Sequence, residues 1–164
     1  MPRLADIIQQ IREAAPGLER VGAVLSSEAA AHAHLMAATG SDPSGRPRYP
    51  ALAPRRLFAI YPQGASAIPG FEPEGGPVAE ELAGRIDLHR TTVTLADGTR
   101  VPVLSREAVL AQLLERGGLS LGLAGILIRI CSDPPIDTDD VRDILKAARQ
   151  GERFQPLLEL LAVV

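Results

Sequence analysis

Three histidines, one cysteine, one lysine and a cluster of aspartates are the side chains whose types invite chemistry in this 164-residue sequence. His32 and His34 stand two positions apart, about 200° around a helix. They cannot reach one ion together from that helix, and they read as surface or packed histidines. Cys131 follows an apolar run and has no second thiol, so it reads as an inert buried group rather than a nucleophile or part of a zinc site. Lys146 lies in an amphipathic stretch, where a solvated ammonium is the plain reading. Asp133, Asp137, Asp139, Asp140 and Asp143 could hold a hard cation, but the glycine and terminal glutamate of an EF-hand loop are missing. Helix capping already accounts for Thr138 to Asp140. The patterns GxxxxGKS/T, GxGxxG, HExxH, CxxC and SxxK are all absent, which removes the familiar phosphate loops, zinc proteases and the penicillin-binding pattern.

Charge and composition exclude further classes. The balance of 17 basic and 20 acidic residues, a net charge of −3, gives no general attraction to nucleic acid or anionic lipid. Aromatic residues make up 3%, too few to build a stacking platform for single strands. The locally basic stretch lies between Gly40 and Tyr61, where Arg46, Arg48, Arg55 and Arg56 face one acid, Asp42. Such arginines could grip phosphate as two-pronged donors, against a background reading of solvated charge. The first residues place Asp6 and Glu13 among apolar positions and lack the uncharged core of a signal peptide. The apolar run from Leu119 to Ile128 falls well short of the roughly 20 residues a bilayer span needs. The expectation is a soluble, cytoplasmic protein with no membrane contact.

These side chains must be positioned by a single domain over 1–164, with a proline- and glycine-rich loop at about 40–77. Leu4, Ile7, Ile8 and Ile11 repeat with helical spacing, and Pro16–Gly17 marks the end of that helix. Leu18 to Leu25 is a short apolar piece, strand or helix start. Ser26 or Ser27 caps an alanine-rich helix running to about Thr39, with Gly40 closing it. The loop holds 8 of 14 prolines and 6 of 15 glycines, and one buried strand, Leu57 to Tyr61, survives inside it. Val78 to Leu82 forms a short helix, and Arg85 to Leu95 alternates as Ile86, Leu88 and then Val93, Leu95, with room for a break between the pairs. Asp97–Gly98 turns the chain into a second strand at Val101 to Leu104. Ser105 then caps a helix through Arg116. Leu119 to Ile130 is a buried helix or strand with Ile128 inside it, Thr138 caps the next helix, and a last helix runs from Phe154 to about Ala162. The fold class is α+β or α/β, a small mixed sheet packed against several helices.

The block from Gly84 to Lys146 reads R-I-D-L-H, a D-G turn, V-P-V-L, S-R-E-A-V-L and later D-D-V-R-D-I-L-K. In order and spacing it resembles the C-terminal half of small bacterial nucleotidyltransferase-fold proteins, the toxin-type and minimal nucleotidyltransferases. The leading helix, the V-G-A piece at Val21 to Ala23, the small-residue helix and the strand at Leu57 to Tyr61 extend the resemblance over most of the chain. Active members carry a glycine turn, a helix, and a strand with two carboxylates, joined by a third carboxylate on a later strand. Those groups hold metal ions that bridge the nucleotide phosphates. Here Leu57 to Tyr61 has no acid, Gly22–Ala23 stands for the turn, and Asp87 alone falls at the third carboxylate. Gln112 occupies the helix position often held by lysine.

The resemblance therefore implies a degenerate, non-catalytic member that acts as a binding or regulatory partner. Arg55, Arg56, Asp87 and His89 would edge its cleft, with no cofactor, and a protein partner or homodimer, or a nucleotide, as ligand. Two alternatives are carried forward. One is an active transferase that pairs Asp87 with Asp137 or Asp139 around Mg²⁺. The other is an unrelated structural domain that dimerises through its apolar 119–130 segment.

Overall fold

The computed structural model describes residues 4–39, 56–117, 121–132 and 134–148, together with Pro156. Helix α1 (Leu4–Val21) buries Ile7, Ile11, Ala15 and Leu18 along one stripe. That stripe continues past Pro16, so the helix does not stop where its proline suggested. The proline's missing N–H and ring clash cost about 3 kcal/mol, which the burial of Leu18 beyond it helps to offset. The helix ends instead at Gly22, whose φ of 78° is the left-handed turn glycine tolerates. The N–H of Gly22 donates to Glu19 O (3.1 Å) and that of Ala23 to Leu18 O (2.9 Å). Gly22–Ala23 is thus the cap of α1.

Strand β1 (Val24–Leu25) leads through Ser26 into α2 (Ser27–Thr39), then β2 (Leu57–Ile60) and β3 (Phe71–Pro73). Helix α3 (Pro77–Gly84) and the single turn α4 (Ile86–His89) precede the hairpin β4 (Arg90–Thr94) and β5 (Arg100–Leu104). Three helices follow: α5 (Arg106–Arg116), α6 (Leu121–Ser132) and α7 (Thr138–Ala147). The five strands form one mixed sheet in the order β3-β2-β1-β5-β4. Strand β1 is parallel to β5 and antiparallel to β2, β2 is parallel to β3, and β4 is antiparallel to β5. The protein is an α+β fold.

Tyr61 ties the β2–β3 crossover. Its hydroxyl donates to Phe71 O (2.7 Å) and accepts from the N–H of Ile68 (2.9 Å). Tyr61→Phe removes both bonds and is expected to cost about 1–2 kcal/mol, read as a lower urea midpoint at unchanged m. An unchanged midpoint would show that solvent already satisfies these backbone groups.

Two sequence readings change and one open alternative is decided. Arg85 to Leu95 is not one alternating strand: Ile86 and His89 are buried while Leu88 is 75% exposed, an i, i+3 pattern that makes one helical turn before β4. The apolar stretch at 121–132 is a helix, with Leu123, Ile126, Leu127 and Ile130 inward and Ile128 outward at 69% exposure. Ile128 is therefore a surface residue of this chain. Helix α7 is capped by Asp137 rather than Thr138, its carboxylate accepting from the N–H groups of Asp139 (3.0 Å) and Asp140 (3.3 Å). The helix expected at 154–162, the Gly40 cap and the loop residues 40–55 lie outside the described residues. Among those described, no helix is long and apolar enough to cross a membrane.

Candidate functional site

The carboxyl ends of the parallel strands β1 and β5 share one end of the sheet with the starts of β2 and β4. This is where open mixed sheets place ligands. The chain turns there between β1 and α2. The N–H of Ser26 donates to Phe58 O (3.1 Å), and Ser26 O receives the first helical bond from Ala30 (3.3 Å). Ser27 carries φ 54°, the one described non-glycine residue in the left-handed region. That backbone costs about 1–2 kcal/mol for an L-residue, and it turns the Ser27 N–H toward Gln112 Oε1 at 2.9 Å. Gln112 is buried on α5, 85 positions away.

The two hydroxyls converge on Glu74, just beyond β3. Ser26 Oγ donates to Glu74 Oε1 at 3.1 Å, and Ser27 Oγ donates to the same oxygen. Glu74 is held in place by its own N–H, which donates to Ala59 O on β2 (3.1 Å). A carboxylate before the first turn of α2 also complements the helix dipole. A hydroxyl beside a carboxylate is a nucleophile–base arrangement in principle. Here both serines are buried and both hydroxyls are committed to one acceptor, so the group works as an internal polar staple.

Beside it, the half-buried ring of Phe58 has two guanidinium groups near its centroid, Arg56 at 5.4 Å and Arg116 at 6.0 Å. Arg56 also pairs with Glu72 across the β2–β3 ladder. Arg55 lies outside the described residues. Strand β2 itself, Leu57, Phe58, Ala59 and Ile60, offers no acid.

The other sequence candidates sit elsewhere. Strand β4 is three strand spacings from β2, about 14 Å, so Asp87 and His89 share the sheet end with Arg56 but not one spot. Asp87 lies on α4 rather than on a strand. Its side chain is 92% exposed, 3.8 Å from Arg90 Nη2. Asp87→Asn is expected to leave the melting temperature unchanged, and a drop of several degrees would reveal a partner for that carboxylate. His89 is buried, and burial pushes its imidazole below the ordinary histidine range, against the opposing pull of Asp140 and Glu81.

His32 and His34 are buried on α2. Burial pushes the half-buried Cys131 thiol up to about 11, the opposite of a reactive thiolate. Asp137 caps α7 and Asp139 pairs with Arg142 (2.9 Å), while Asp133 lies outside the described residues. Among the described residues, no three His, Cys, Asp or Glu side chains gather as a metal-holding group.

Ser26 and Ser27 were visible in the sequence as caps, and Gln112 as a departure from lysine. Glu74 was not visible; its one local signal is the Gly75–Gly76 pair that lets the chain turn after it. No family model matches the chain, and no curated protein matches it significantly.

Proposed function

We propose that this domain is a non-catalytic, nucleotidyltransferase-like module that works as a binding or regulatory partner. The observation that carries this reading is the β1–turn–α2–β2 unit. A strand turns tightly into a small-residue helix and returns beside it, yet the returning strand has no carboxylate. Two-metal phosphoryl chemistry needs acids converging from that strand, and Leu57 to Ile60 cannot supply them. The donors that would face an incoming phosphate are already occupied: Ser26 and Ser27 by Glu74, and the Ser27 N–H by Gln112.

Two large apolar side chains are left in solvent, Leu88 on α4 and Ile128 on α6. The test is a thermal-shift panel with ATP, GTP, CTP and UTP, each with and without Mg²⁺. A ligand at 100 times its dissociation constant adds about 2.7 kcal/mol, several degrees for a chain of this size. The expected result is no Mg²⁺-dependent shift with any nucleotide. A Mg²⁺-dependent rise of several degrees would overturn the non-catalytic reading and direct mutagenesis to Asp87, Asp137 and Asp139.

A further inference from the structure

One margin of the sheet is shielded and the other is open. On the shielded side β3 has three residues, ends on Pro73, and carries Glu72 paired with Arg56. Brevity, proline and charge are the means by which sheets close an edge. On the other side β4 runs in unbroken register with β5 over five residues, with no proline, lysine or acid among them. The ladder fixes which of its backbone groups face outward, because bonded and unbonded pairs alternate between antiparallel strands. The Leu95 N–H donates to Thr99 O (2.9 Å) at one end, and the Ser105 N–H donates to His89 O (2.7 Å) at the other. Between these ends the bonded pairs are therefore Thr91 with Val103 and Val93 with Val101. Thr92 stands opposite Pro102, which has no N–H to give. The N–H and C=O groups of Thr92 and Thr94 point away from β5, and no backbone partner meets them among the described residues.

The side chains say what fits against them. Thr92, Thr94 and Arg100 share one face of the hairpin and are exposed. Arg90 opens the same face, 3.8 Å from Asp87, and Asp97 at the turn is taken by Arg12 (2.9 Å). Arg100 has no ion pair among the described residues. On the opposite face Thr91 and Val93 lie beside the buried Val101 and Val103, so that face continues the core. A second copy fits this edge poorly. Pairing about a two-fold axis at Thr92 sets Arg90 opposite the second copy's Thr94, whose own ladder partner is Arg100. Like charges then meet twice, two strand spacings or about 10 Å apart. A guest strand with acids on the threonine face and apolar residues on the valine face satisfies both sides.

We propose that β4 is a docking edge for an extended segment of a partner protein that alternates acidic and apolar residues and joins the sheet as a sixth strand. Backbone pairing at Thr92 and Thr94 supplies the attachment, and Arg100 selects the sign of the guest's charge. The proposal is independent of the nucleotide question, since neither outcome of the thermal-shift panel touches this edge.

The experiment titrates the isotope-labelled full chain with two six-residue peptides, one alternating glutamate and valine, the other lysine and valine, and follows the backbone amides by NMR. The glutamate peptide is expected to shift the Thr92 and Thr94 amides in a saturable way and to move Thr91 and Val93, already bonded to β5, far less. The lysine peptide should bind about tenfold more weakly or worse, and Arg100→Glu should reverse the preference. Thr92→Pro removes an outward N–H without touching a β4–β5 bond, so it should abolish the Thr94 shift with little change in melting temperature. Equal affinity for the two peptides, largest shifts away from β4, or no shift at millimolar peptide would overturn the proposal. Movement of the same amides with protein concentration alone would also overturn it, by giving the edge to a second copy. If Thr92→Pro does not fold, the Arg100→Glu reversal decides, and its absence refutes the proposal.

Discussion

Ser27→Val is expected to destabilise the protein by about 3 kcal/mol, a large fraction of the 5–15 kcal/mol that holds a domain together. Two losses add. A β-branched residue at φ 54° is a genuine backbone outlier, where serine is only uncommon. The substitution also removes a hydroxyl bonded to a carboxylate, which is worth about 1.5–3 kcal/mol. Glu74 would keep Ser26 as its other hydroxyl donor. Ser27→Gly separates the two contributions, because it loses the same hydroxyl but relieves about 1–2 kcal/mol of left-handed strain. Urea denaturation should place Ser27→Gly well above Ser27→Val, with equal m values. Equal midpoints for the two variants would show that the backbone at Ser27 carries no strain.

Ile126→Asp should abolish folding at ambient temperature, whereas Ile128→Asp two positions along the same helix should change stability by no more than about 0.5 kcal/mol. Ile126 is 0% exposed and packs inside the core, so an aspartate there is an unpaired charge in an apolar surrounding. Ile128 projects into solvent, and removing its side chain leaves no cavity. Circular dichroism melts of the two variants read the contrast directly. A severe loss for Ile128→Asp that deepens at higher protein concentration would mean that a second copy covers this face.

That contrast also shows where sequence stops being informative. A run as apolar as Leu121 to Ile130 has no polar face to reveal its inward side, so neither its helical state nor the exposure of Ile128 followed from periodicity. Local chemistry read better: the Asp97–Gly98 turn, the Ser105 cap accepting from Ala108, and the short strand at Leu57 were all legible, because each is decided within a few residues. Pro16 misled because the stripe beyond it, Leu18 above all, outweighs one missing bond. At Arg85 to Leu95, Ile86 and Leu88 stand two apart and suggest alternation, whereas the buried pair is Ile86 and His89, three apart. The candidate site was the least legible part. Its defining contacts join Ser27 to Glu74 and to Gln112, 47 and 85 positions away, and no spacing rule reaches so far.

The brevity of β1 has a consequence for how the chain assembles. Two residues hold the sheet together at its centre, with two register pairs to β2 on one side and one to β5 on the other. The flanking units, β2 with β3 and the β4–β5 hairpin, close short loops, whereas β1 must find partners about 35 and 78 positions along the chain. Loop-closure entropy therefore sets the order of events: the two outer halves form from neighbours in sequence, and β1 is the late rivet that joins them. Substitutions at Val24 and Leu25 should then act mainly on the unfolding rate, and those in the β4–β5 hairpin on the folding rate.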